Sequence, residues 1–190
     1  MKRSKRKQEI YRVSAHLFRK KGYSASSMRD IAEHVGLEPS SLYSHIKSKE
    51  EILIDICFDC ASLFEEGMIG ILKTYDRPAE RLDALVDLHL DIAYNKPSSV
   101  TVFNDEWRHL PEPKLSEFLA VRKTYEDQFR QIIKDGIVSG DFEQISSSTA
   151  INVVINSLKW LHFYTGKRDQ AAYDLKRQEV KKFVQKGLGI

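Results

Sequence analysis

The chain has 190 residues, 42% hydrophobic and 30% charged, with a formal net charge of +3. That length allows one ordinary domain or a small one joined to a larger one; no run of about 18 or more apolar residues occurs, which excludes a membrane-spanning helix. Charge is uneven: residues 1–53 carry 12 Lys or Arg against 6 Asp or Glu and the remainder 18 against 21, so a basic head suited to a polyanion precedes a mildly acidic body.

Helical periodicity runs through nearly the whole chain, with no convincing alternating strand. Ile10, Val13, Leu17 and Phe18 form one face of a first helix that Gly22 stops. Ser26 or Ser27 caps a second helix to about Val35, and Ser27 with Asp30 has capping-box spacing. Gly36 breaks it, and Pro39 suits the first position of a short third helix. Ser48-Lys49-Glu50-Glu51 reads as another capping box, opening a long fourth helix toward Thr74. The loop Tyr75–Pro78 ends that segment. A fifth helix covers about Ala79 to Tyr94, with Leu82, Leu85, Val86, His89 and Ile92 roughly aligned. Lys96-Pro97-Ser98 breaks the pattern, and a shorter helix follows from Ser99 to about His109. Further helices are predicted over about Lys114–Val138, Ser147–Tyr164 and Tyr173–Leu188. The pattern predicts an all-α chain of three short helices (residues 1–53) followed by six mostly longer ones (residues 54–190).

Residues 22–53 carry the functional signal. Two helices crossing through a tight turn need a small residue at the approach and a left-handed turn residue, supplied by Ala32 and Gly36. Ile31, Val35, Leu37, Leu42 and Ile46 are spaced to hold this pair against the first helix. Pro39, Ser40, Ser41, Tyr43, Ser44 and His45 are then left exposed on the third helix, whose N-terminal part can read base edges in the major groove. Lys47 and Lys49 add charge, while Ser26, Ser27 and Arg29 are placed to grip neighbouring phosphates. The arm Lys2, Arg3, Lys5, Arg6 and Lys7 can lie along phosphates or in a minor groove, or be a solvated tail.

Residues 8–53 resemble the N-terminal domain of the TetR family of transcriptional repressors. The resemblance rests on Phe18, Gly22-Tyr23, the run Ser26 to Ala32, Gly36-Leu37, Ser41-Leu42-Tyr43, His45 and the run Lys47 to Leu53. It implies a nine-helix fold, a homodimer and DNA contact through the third helix, with an N-terminal three-helix helix-turn-helix DNA-binding domain over residues 1–53 and a six-helix C-terminal ligand-sensing and dimerisation domain over residues 54–190. Four positions depart from the family pattern. Glu38 replaces a hydroxyl cap, Pro39 a common Lys or Arg, Ser40 a Gly or Ala, and Ile46 a Phe. This reading helix is therefore poor in cations.

In the body, Phe103, Trp107, Phe118, Tyr125, Phe129, Trp160, Phe163 and Tyr164 form a dense aromatic set, with Arg108, His109, Arg122, Asn156 and His162 as possible polar groups. From these we nominate Phe103, Trp107, Arg122, Tyr125, Phe129, Asn156, Trp160 and Phe163 as ligand-binding, although aromatics at helical spacing also simply fill cores. The stretches Phe103–Leu110 and Gly136–Phe142, with Arg122, Tyr125-Glu126, Asn156–Trp160, Tyr164 and Gly166, are similar to a branch of the same family that senses acyl-CoA thioesters. That resemblance implies a long apolar pocket with basic residues at its mouth. The last two helices offer Ile151, Val154, Ile155, Leu158, Leu161, Phe183, Val184 and Leu188 to a dimer interface or to the monomer core.

Several function classes are disfavoured. No nucleophile–base set, phosphate loop or HExxH occurs, and Asp105 and Glu106 form no evident pair, so no catalytic residue and no cofactor is expected. Cys57 and Cys60 lack a second pair or a nearby His that would complete a zinc set, so no metal is expected; they read as reduced, partly buried thiols, with a redox role as the alternative. Ile10 to Phe18 is broken by Arg12, Ser14 and His16, so no signal-peptide core follows the basic start. The expectation is a cytoplasmic homodimeric repressor on a palindromic double-stranded DNA operator, released by an apolar or acyl-CoA-type small molecule, with no membrane partner. A regulator without a ligand, or an activator, stays open.

Overall fold

The Ser4 side chain accepts the Lys7 backbone N–H and caps α1 (Lys5–Lys21). This computed structural model describes residues 4–159 and 169–190. Among them are nine α-helices and no strand. Gly22 ends α1 at φ 83°, its N–H bonded to the Phe18 carbonyl at 2.8 Å. The predicted Ser27–Asp30 capping box opens α2 (Met28–Val35), and Gly36 closes it in the left-handed conformation at φ 70°. Leu37 N–H then reaches back to the Ala32 carbonyl at 2.9 Å, which satisfies a carbonyl the helix end would leave unpaired.

Pro39 starts α3 (Pro39–Tyr43), and Glu38 before it makes no side-chain cap bond. Ser48 caps α4 (Lys49–Thr74) by accepting the Glu51 N–H at 3.2 Å. The reciprocal bond of the predicted box is absent. The Glu51 carboxylate instead takes the Lys47 backbone N–H and the Lys7 ammonium, each at 2.8 Å.

The chain continues with α5 (Pro78–Asn95), α6 (Pro97–Asp105), a 3-10 turn (Trp107–His109), α7 (Lys114–Ser139), α8 (Ser147–Lys159) and α9 (Gln170–Gly187). Two boundaries differ from expectation. The predicted break falls at Lys96, between α5 and α6, but α6 starts at Pro97 and not at Ser99, because proline suits a first helical position, where a missing N–H costs nothing. Helix α9 starts at Gln170, before Tyr173, because Asp169 caps it through the Ala172 N–H at 2.8 Å. The predicted end of the eighth helix, Trp160 to Tyr164, lies outside the described residues.

The chain folds as two compact units, Met1–Ala61 with Lys96–Leu119, and Ser62–Asn95 with Ala120–Ile190. The expected boundary at residue 53 thus falls inside α4, and the first unit also takes in α6 and the turn after it. The reason is packing: α6 lies along α1. Phe18, Ile10, Ile31, Leu42, Ile46, Ile52 and Leu53 are among the fully buried side chains of this unit. Each such side chain contributes about 1.5–3 kcal/mol by leaving water.

In the second unit α5 packs on α8 and α9, and Leu82 and Leu85 of α5 are fully buried, as are Phe129 and Ile133 of α7. A polar seam joins α5 to α9. Asp87 accepts Arg177 at 2.6 Å and Lys181 at 3.1 Å, Asp83 accepts Lys181 at 3.1 Å and Gln185 at 2.7 Å, and Tyr173 bonds Asp91. Of the residues offered to a dimer interface, Ile151, Val154, Leu158, Val184 and Leu188 are buried within the chain. Phe183 is 65% exposed, joined by Leu175 at 59% and Val153 at 55%. Leu161 lies outside the described residues.

Candidate nucleic-acid interface

The reading helix presents the surface that its pattern predicts. Leu42 and Ile46 are buried, while Pro39, Ser40, Ser41, Tyr43, Ser44, His45 and Lys47 are exposed. Tyr43 is the most prominent, with 55% of its surface accessible. Ser44 turns its hydroxyl back to the Ser41 carbonyl at 2.7 Å, which ties the end of α3. At the start of α2, Ser27 and Arg29 are exposed. Ser27 donates to the Asp30 carboxylate at 2.6 Å and accepts the Asp30 N–H at 3.1 Å. Those bonds, with the Ser27 N–H and Lys21, hold the Asp30 carboxyl down to about 2. Asp30 is therefore an anion under all ordinary conditions, and the cap residue Ser27 stands exposed beside it.

Two candidates have other work in the fold. Ser26 is 2% exposed and donates to the Gly22 carbonyl at 2.8 Å, so it braces the turn between α1 and α2 from inside and does not line the surface. Lys49 was expected to add charge toward phosphates. Its ammonium instead donates to the carbonyls of Ser26 at 2.7 Å and Tyr23 at 2.9 Å, and lies 4.2 Å from the centre of the Tyr23 ring. Burial first, and Glu50 second, push the Tyr23 phenol up to about 12.

Two residues of the basic arm are likewise tied to the fold, whereas Lys5 is exposed. Arg6 pairs with Glu9 at 2.6 Å and caps the Val35 carbonyl at 3.2 Å, and Lys7 pairs with Glu51. Lys2 and Arg3 lie outside the described residues. Apart from Glu9, one turn along α1 from Arg6, these partners are not visible in the motif, because each is set by how separate elements cross.

The ligand candidates divide between the units. In the first, Phe103 and Trp107 flank the fully buried Phe118, with ring centres 5.4 and 6.4 Å away, and Phe58 completes the cluster at 5.9 Å. In the second, Tyr125 and Phe129 surround His89 with Phe64. Sequence reading aligned His89 with the apolar face of α5 but gave it no polar role. Its Nε2 lies 2.8 Å from the Tyr125 hydroxyl, and burial holds its pKa down to about 4, so the ring is neutral. Arg122 sits 3.9 Å from Glu126 on α7. Asn156 departs from expectation: it is exposed and donates to the Asn152 carbonyl of its own helix, on the side of α8 that carries exposed Val153. Trp160 and Phe163 lie outside the described residues. Cys57 and Cys60 are buried thiols on α4, and burial pushes Cys60 up, away from the reactive thiolate. Among the described residues no helix is long and apolar enough to cross a membrane.

Comparison with known proteins agrees with this architecture. Residues 10–56 match the family described as "Bacterial regulatory proteins, tetR family", and residues 75–163 match "Tetracyclin repressor-like, C-terminal domain". Together these segments take in more than two thirds of the chain. The HTH-type transcriptional repressor KstR2 of Mycolicibacterium smegmatis is 26% identical over 157 residues, covering 82% of this chain and 77% of that protein. The crystal structure of the ketosteroid transcriptional regulator KstR2 of Mycobacterium tuberculosis shares the fold. Its TM-score is 0.90 at 21% identity, over 98% of this chain and 96% of that one. AibR, solved in complex with isovaleryl coenzyme A and operator DNA, shares the fold at a TM-score of 0.81 and 20% identity, over 97% of this chain and 98% of that one. A helix-turn-helix whose polar face is exposed, backed by a helical body matching the same family, makes this chain a DNA-binding transcriptional regulator of the TetR family and not an enzyme.

Proposed function

We propose that the protein is a ligand-responsive repressor that binds a palindromic operator as a homodimer and is released by an apolar or acyl-CoA-type effector. The exposed strip Pro39 to Lys47, with Ser27 and Arg29 beside it, is the observation that carries the DNA reading. On that strip Ser41 and its neighbours face base edges, while Tyr43, His45, Lys47 and Arg29 meet phosphates. Two such readers must stand about one helical turn apart, ~34 Å, to engage a palindrome. The exposed apolar side chains Val153, Leu175 and Phe183 support a two-fold helix pairing that sets this spacing.

The effector reading draws on the interior aromatic clusters and on AibR, whose complex holds an acyl-CoA together with operator DNA. Repression draws on KstR2, named a transcriptional repressor. An effector that favours a splayed dimer shifts the population away from the operator-bound state, and a coupling of about 1–3 kcal/mol gives a usable switch. The test begins with a labelled duplex enriched by the protein from a randomised pool. Native mass spectrometry should give the dimer mass on one duplex, and isovaleryl-CoA or a long-chain acyl-CoA should lower affinity about 5- to 150-fold. Equal affinity with every acyl-CoA tested would refute the effector class. A monomer on DNA would refute the palindrome reading.

A further inference from the structure

The turn that leads into α2 is held by residues far away in the chain. Tyr23 is 7% exposed, and its ring receives contacts from three other elements. Phe18 of α1 meets it edge-on at 5.2 Å, Lys49 of α4 stands over it, and His109 of the 3-10 turn stacks on it at 5.3 Å with the planes 27° apart. His109 Nε2 also lies 3.5 Å from the Ser24 hydroxyl and 3.5 Å from the Glu106 carboxylate. Glu106 in turn comes within 3.7 Å of the place a β-carbon on Gly22 would occupy. The segment Glu106–His109 is therefore a clasp on the turn Gly22–Ser24. The same turn passes through Ser26, whose carbonyl is fixed by Lys49, to Ser27, the cap of α2. All of these residues belong to one compact unit.

We propose that His109 is a positioning residue for DNA binding: by stacking on Tyr23 it fixes the turn that sets where Ser27 and Arg29 stand. The sequence pattern offers His109 as a polar group for a ligand pocket, whereas its contacts lie against the turn that leads into α2. A ring is needed at this position because the contact is face to face, whereas the polar bonds at 3.5 Å are long and exposed to water. His109 is 44% exposed, so replacing it leaves no cavity in the core.

The experiment measures affinity by fluorescence anisotropy over a range of salt concentrations, with the duplex enriched by the wild-type protein. His109→Ala should bind about 2- to 10-fold more weakly, the worth of one aromatic pair. Its dependence on salt should be shallower by about one phosphate contact, with thermal unfolding little changed. His109→Phe, which keeps the ring, should recover most of the affinity. In an Arg29→Ala background, His109→Ala should add little, because its effect runs through the start of α2. The inference rests on the reading that Arg29 faces phosphate. If Arg29→Ala weakens binding but His109→Ala does not, the clasp is refuted and that reading stands. If neither variant weakens binding, both are refuted. Full additivity of the two substitutions would also overturn the proposal, because His109 would then act independently of α2. Should His109→Ala fail to fold, His109→Gln removes the ring and supports the same comparison.

Discussion

Replacing Lys49 by Met separates two views of this residue. As a phosphate contact, it would cost affinity and reduce the salt dependence of binding by about one unit, leaving the fold intact. The geometry gives a different expectation. The Tyr23 carbonyl keeps the Ser26 N–H at 3.1 Å when the ammonium is removed. The Ser26 carbonyl loses a charge-assisted bond of 2.7 Å in a residue that is almost fully buried. An under-satisfied buried carbonyl costs about 1–3 kcal/mol. Loss of the ammonium over the Tyr23 ring adds about 0.5–1 kcal/mol. Against this, Lys49 is the first residue of α4, where a cation opposes the helix dipole, so its removal returns about 0.3–1 kcal/mol. The net is a destabilisation of about 2 kcal/mol, which for a chain of this size lowers the midpoint of thermal unfolding by roughly 4–8 °C. Circular dichroism melts of wild type and Lys49→Met read this directly. Anisotropy across salt concentrations supplies the second axis, where the slope should be unchanged at temperatures at which both proteins are folded. An unaltered midpoint together with a shallower slope would refute the clamp and restore the phosphate role.

Other expectations follow from the same contacts. Phe183→Glu places a charge in the exposed apolar face of α9, and size-exclusion chromatography with light scattering should find a monomer at micromolar concentration, with operator affinity at least about tenfold lower because the two readers no longer bind as one. Acid should weaken the second unit in two stages. An unfolded His89 takes up a proton below about 6.5, whereas the folded one resists until about 4, so stability falls as pH drops through that window, and His89→Gln should flatten the slope of unfolding free energy there. Below it, burial raises Asp87 but Arg177 and Lys181 more than offset this and hold its carboxylate below the usual range, so the stability it adds is present above about pH 3.9 and lost as pH falls through its lower folded value. Asp87→Asn should remove that last step from acid melts. On the reading helix, Ser41→Ala should change the preferred base at one operator position, worth up to about 1 kcal/mol, whereas Tyr43→Phe should weaken all sequences alike; a sequencing-based selection of bound DNA distinguishes the two.

What the sequence discloses here depends on how far apart the partners are. Ser27 finds Asp30 three residues on and Gly36 finds Ala32 four back, so caps and turns are readable as local spacing. Ser26 and Ser27 look alike at that range. Only the path of the turn shows that one hydroxyl faces Gly22 from inside and the other stands in solvent. Lys49 meets carbonyls 26 and 23 residues away, and His109 meets Ser24 across 85, distances at which periodicity is silent. The same limit applies to the last helix, where Phe183 and Val184 are equally apolar neighbours. Val184 is buried and Phe183 exposed because α5 packs on one side of α9, and a single-helix pattern has no means of choosing that side.

These long-range partners bear on affinity. Among the described residues the sequence pattern offers Lys5, Arg6, Lys7, Arg29, Lys47 and Lys49 to DNA, yet three of them are held within the fold: Arg6 by Val35 and Glu9, Lys7 by Glu51, and Lys49 by Tyr23 and Ser26. Lys5, Arg29 and Lys47 are the members of that set with exposed side chains. Each phosphate neutralised by a duplex-binding protein contributes a slope of roughly −0.9 to the logarithmic dependence of affinity on salt. On the proposed function, a single reader leaning on so few cations would bind weakly and lose little as salt rises. Tight binding would then depend on two readers held together, and the exposed face carrying Phe183 would matter to operator affinity as much as the reading helix.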